Sequence, residues 1–223
     1  MNDPGASKID EQEVAIPAGG RTIRGTLHRP EGAVGVVVFA HGSGSGRFSP
    51  RNRYVAEVLQ DAGLATLLLD LLEEDEANDR SKVFDIALLA DRLRAAAAWL
   101  RSRPETADLR LGYFGASTGA GAALVAAGRD PASVGAVVSR GGRPDLAGDA
   151  LDDVTAPTLL IVGGDDEIVL ELNRQAFDRL AGVCQLEIVP GATHLFPEAG
   201  ALEEVARLAR EWFRRYLTPR SGT

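Results

Sequence analysis

The chain has 223 residues, 45% of them hydrophobic and 25% charged. That is enough for one domain with a core that needs no disulfide or metal staple. Its 24 Lys+Arg against 32 Asp+Glu leave a net charge of −8, which argues against nucleic-acid binding and against docking on anionic membrane. The single cysteine, Cys184, excludes an internal disulfide, and the polar start MNDPGASKIDEQE lacks a signal pattern, so the expected location is cytoplasmic.

Residues 1–8 and 219–223 read as tails around one domain spanning 9–218. Strand signals follow at residues 22–28, 35–40, 65–70, 109–114, 134–138, 158–162 and 184–189. From Gly35 onward they are continuously apolar, the pattern of strands covered on both faces. Ser49-Pro50 marks a helix start, and Tyr54, Val55, Val58 and Leu59 lead to a stop at Gly63. The acidic stretch Glu73-Glu74-Asp75-Glu76 reads as a solvated, mobile loop and a candidate to shape the entrance of a site. Phe84, Leu88, Leu89, Leu93, Ala96, Ala97 and Leu100 form the stripe of a longer helix, and Leu202 to Tyr216 that of the last one. Strands alternating with helices predict an α/β fold with a mostly parallel sheet and right-handed crossovers.

In such a sheet, chemistry collects beyond the carboxyl ends of the strands. After 109–114 comes Gly115-Ala116-Ser117-Thr118-Gly119, a G-x-S-x-G turn between strand and helix. A sharp turn there exposes a serine, and the flanking positions lack room for side chains. After 158–162 come Asp165 and Asp166, of which Asp166 is the first choice to orient a histidine. After 184–189 comes His194. The other two histidines are His28, within a strand, and His41. Ser117, Asp166 and His194 thus form a candidate catalytic triad in the order Ser, Asp, His. His41-Gly42-Ser43-Gly44-Ser45-Gly46 lacks a P-loop lysine and G-x-G-x-x-G spacing, so it suits an oxyanion hole better than a phosphate cradle. The expected donors are the backbone N–H groups of Thr118 and of a loop residue, Ser43 as first choice with Gly42 as the alternative. His41 and Gly42 are candidate substrate contacts, and Arg140 and Arg143 candidate holders of a substrate carboxylate.

These motifs resemble those of an α/β-hydrolase of the dienelactone hydrolase-like group, from about residue 12 to 217. The resemblance implies an eight-stranded, mostly parallel sheet with one antiparallel strand, and an edge strand near residues 14–16. It also implies cofactor-free hydrolysis of esters or lactones. No connection in the chain is long enough for a separate cap domain, and no metal site is expected. The family's cysteine nucleophile is replaced here by Ser117. The expected partner is a small-molecule ester, with the protein a monomer or homodimer. Two other readings compete: a non-catalytic binding protein on this scaffold, and a nicotinamide-dependent oxidoreductase using Gly115, Gly119 and Gly121. The latter lacks the tyrosine–lysine pair its chemistry needs.

Overall fold

The structure, a computed structural model, describes residues 10–219; the tails expected at 1–8 and 219–223 lie outside them except for Pro219. Eight strands form one sheet: β1 (Asp10–Ala18), β2 (Arg21–Arg29), β3 (Val36–Ala40), β4 (Ala65–Leu69), β5 (Leu111–Ala116), β6 (Val134–Arg140), β7 (Thr158–Gly163) and β8 (Cys184–Val189). Their spatial order is β1-β2-β4-β3-β5-β6-β7-β8. Only β2 runs against both of its neighbours, and β3 to β8 are parallel. This is the fold that the alternation of elements predicts.

The central strands β3, β4, β5 and β7 are buried at every position, as continuous apolar runs require. Helices α4 (Ile86–Arg101) and α5 (Thr118–Arg129) cover one face, where Leu89, Leu93 and Leu100 pack on Val36, Val38 and Tyr113. Helices α1 (Pro50–Asp61) and α7 (Ala201–Leu217) cover the other, where Val55, Leu59, Trp212 and Phe213 meet Val37, Phe39 and Phe114. Helix α6 (Glu167–Phe177) packs Val169 and Leu170 on Val162. Among the described residues no helix is long and apolar enough to cross a membrane.

Two expectations change. The acidic stretch is structured: residues 74–83 form two short helices, α2 (Glu74–Ala77) and α3 (Arg80–Val83). Glu76 is buried there, with its carboxylate 3.1 Å from Arg92 of α4 and 3.4 Å from Lys82. Phe84, expected in the stripe of α4, lies outside that helix and is exposed, because the side chain of Asp85 caps the Leu88 N–H and starts the helix after it.

Candidate active site

The turn after β5 is sharp. Ser117 has φ 50° and ψ −122°, a backbone conformation costly for a residue with a Cβ, and it stands at the N-cap of α5 without using its hydroxyl as a cap. Its backbone is held on both sides: its N–H donates to the Arg140 carbonyl at 3.3 Å, and its carbonyl accepts from the Arg143 N–H at 3.0 Å. The flanking glycines are dictated by contact. A Cβ on Gly115 would collide with Ala120, and one on Gly119 with the carbonyls of Ala40 and His41. The elbow therefore forms only because α5 approaches β5 and the end of β3 without side chains between them.

At the ends of β7 and β8, His194 Nδ1 lies 2.7 Å from Asp166 Oδ2. Nδ1 carries the proton toward the carboxylate, which leaves Nε2 as the acceptor nitrogen. Asp166 is the N-cap residue of α6, yet its side chain makes no cap hydrogen bond because it is turned to His194. Asp165 is exposed, and only its backbone N–H reaches this loop, donating to Ala192. Gly163 lets the two loops meet, since a Cβ there would collide with the Ala192 carbonyl. Gly141, next to Arg140, sits against the histidine: a Cβ on it would lie 3.0 Å from the His194 carbonyl. Residues 140–143 thus lie between the elbow and the His194 loop.

Sequence reasoning missed Phe196. It is fully buried and holds φ 55°, unusual for a phenylalanine, so packing pins the loop carrying His194. An aromatic in a loop carries no periodic signal that would single it out.

The glycine-rich loop presses on the elbow, for a Cβ on Gly42 would lie 3.1 Å from Ser117 Cβ. The Ser43 N–H points to this region but donates to Thr118 Oγ1 at 3.0 Å. The Thr118 N–H, first in α5, has no carbonyl within the helix to reach. His41 is tied down: the Leu71 N–H donates to Nε2 at 3.0 Å, which leaves Nδ1 to donate to the Gly42 carbonyl at 2.9 Å. Burial holds its pKa below the ordinary histidine value, against the pull of Gly42 and Asp70. Both ring nitrogens are thereby committed to backbone, so His41 shapes the loop and has no free nitrogen for a substrate.

The two arginines differ. Arg143 spends its guanidinium on Asp145, with Nε and Nη2 at 2.8 and 2.7 Å from its two oxygens, which removes the basis for a carboxylate-holding role. Arg140 is buried, with Nε and Nη1 unpartnered, and burial together with the positive charge of Arg51 lowers its pKa to about 10. Cys184 lies at the amino end of β8, away from these loops, and burial pushes its thiol up to about 12, which keeps it out of thiolate chemistry. Among the described residues no group of His, Cys, Asp and Glu is placed to hold a metal ion.

A serine elbow, a histidine–carboxylate pair and a glycine-rich loop meeting at one edge of this sheet define the α/β-hydrolase class. The Dienelactone hydrolase family profile matches residues 23–217, and the chain belongs to that family. A solved dienelactone hydrolase from Anabaena variabilis ATCC 29413 is 57% identical, covers 94% of this chain and 99% of its own, and superposes with a TM-score of 0.91. A Mycobacterium tuberculosis H37Rv protein, provisionally named a phosphoribosyl transferase, is 61% identical over 209 residues, 94% of this chain and 47% of that protein. The chain therefore spans about half the length of that relative. Est1E from Butyrivibrio proteoclasticus shares the fold, with a TM-score of 0.78 at 18% identity over 92% of this chain and 98% of its own.

Proposed function

We propose that the protein is a serine hydrolase of carboxylic esters, acting through Ser117, His194 and Asp166 without a cofactor. The observation that carries this reading is the 2.7 Å His194–Asp166 pair at the same sheet edge as a strained serine elbow. His194 Nε2 takes the Ser117 proton as Oγ attacks the ester carbonyl, and Asp166 stabilises the imidazolium that forms. The Thr118 N–H receives the developing oxyanion, joined by the Ser43 N–H, which Thr118 Oγ1 then shares. Each such donor is worth about 10²–10³ in rate. The imidazolium protonates the leaving alcohol, the ester C–O bond breaks, and an acyl-Ser117 remains. A water deprotonated by His194 then attacks it, releasing the acid and restoring the serine.

The transferase name of the longer mycobacterial relative belongs to a protein of which this chain matches 47%. The glycine loop here, without a lysine, offers no phosphate cradle to support carrying that name over.

The test is hydrolysis of p-nitrophenyl acetate together with fluorophosphonate labelling, on wild type and Ser117→Ala. Turnover and labelling in the wild type alone are expected. A folded wild type that neither turns over nor labels would overturn the reading.

A further inference from the structure

Beside the elbow lies a cavity of about 730 Å³, within the size range that takes a small organic ligand. His41, Gly42, Ser43 and Thr118, the residues around Ser117, form part of its wall. It continues between the β1–β2 hairpin and the short helices, where Ile23, Leu72, Ala77, Val83 and Leu89 line it.

We propose that this cavity receives an uncharged, apolar substituent of the ester, and that residues 74–83 set how large a substituent fits; this rests on the ester-hydrolase reading above. The wall is built in advance. Glu76 and Arg92, each with only 4% of its side chain exposed, pair at 3.1 Å, and Glu76 also accepts from the Glu73 N–H at 3.1 Å. Glu73 in turn pairs with Arg21 of the hairpin at 2.6 Å. These links join α2 to α4 and to the opposite wall, so little ordering remains to be done when a ligand enters.

The lining offers an anionic substituent little to pair with. The lining carries Asp70, Glu73 and Glu74 against Arg24 alone. Arg47 is already engaged with Asp70 at 2.9 Å, and Arg21 with Glu73. A carboxylate brought into the cavity would lose water where Arg47 and Arg21 are already spent on Asp70 and Glu73, and Arg24 alone in the lining is left to meet it. An alkyl or aryl group meets Ile23, Leu72 and Leu89 instead. Ala77 is the sensitive position, a small, exposed residue at the end of α2 that lines the cavity.

Two ester series identify the substituent. One runs from p-nitrophenyl acetate to octanoate and varies the acyl group; the other runs from methyl to octyl acetate and varies the alcohol. In one series kcat/KM is expected to rise at least tenfold with length, and to fall again when the chain ends in a carboxylate. Ala77→Trp, or Thr22→Trp from the hairpin side, is expected to cancel the rise at least tenfold relative to the shortest ester. Both series flat, or a long-to-short ratio unmoved in both folded variants, overturns the proposal. Octanamide binding to Ser117→Ala, read by calorimetry, separates the two claims. Binding that Ala77→Trp abolishes, in a protein whose wild type hydrolyses no ester, upholds the cavity and sinks the hydrolase reading. Hydrolysis without length dependence or octanamide binding does the reverse.

Discussion

Asp165 and Asp166 are adjacent carboxylates in one loop, and their sequence context does not distinguish their roles. The turn after β7 sends one toward solvent and the other to His194, 2.7 Å away. Replacing Asp166 by Asn keeps the shape but favours the wrong imidazole tautomer, so kcat should fall by about 10⁴, while Asp165→Asn should change it little. Steady-state hydrolysis of p-nitrophenyl acetate by both variants decides; a larger loss in Asp165→Asn would reverse the assignment. His41 makes a pH prediction. Its folded pKa lies below the unfolded value of about 6.5, so as pH falls below about 6.5 the unfolded chain binds the proton first. Stability from this site is full above that value and is lost as pH drops toward the folded pKa. Urea unfolding between pH 5 and pH 8 should show a decline on the acid side that is shallower in His41→Asn. An equal slope in the two proteins would show that His41 does not contribute.

At the scale of elements, the strand–turn–helix around Ser117 was legible because three local signals agree: an apolar run, paired glycines and a small-residue helix. Glu76 is not legible as a buried residue because its partner is not local, although Glu74 and Asp75 beside it are exposed as their charge suggests. Four successive acids look solvated until α4 brings Arg92 onto Glu76, sixteen positions away in the chain. Glu76→Ala leaves Arg92 buried without a counter-charge and should cost about 3–5 kcal/mol by urea denaturation. Replacing both residues by Leu should recover most of that loss, since it removes the stranded charge and keeps the volume. If the double variant were as unstable as the single one, the pair would be supplying more than charge balance.

Over the whole molecule, one end of α7 closes the bottom of the sheet. Gly35 just before β3, Gly112 in β5 and Gly135 in β6 lie so near this helix that added Cβ atoms would come within 2.7–2.8 Å of Leu217 or Phe213. Three neighbouring strands therefore share one helical turn as their lid, on the edge opposite Ser117. Phe213→Ala opens a cavity under β5 and should cost about 3–5 kcal/mol, read from the urea midpoint. Ester turnover at temperatures below the variant's melting point should stay near that of the wild type. A selective loss of turnover in folded Phe213→Ala would mean that the two sheet edges are coupled.

The sequence by itself determined the class of fold and the residues available for chemistry. Burial on both faces forces continuous apolar strands, and a crowded turn forces glycine at 115 and 119; both are short-range requirements written in adjacent residues. Only the tertiary structure decided that Asp166 faces His194, that Arg143 is spent on Asp145, that the Ser43 N–H rests on Thr118 Oγ1, and that Glu76 is buried against Arg92. A carboxylate or guanidinium has the same local preferences whether it meets solvent, a counter-ion or a substrate. Its role is set by what the chain brings beside it from far away.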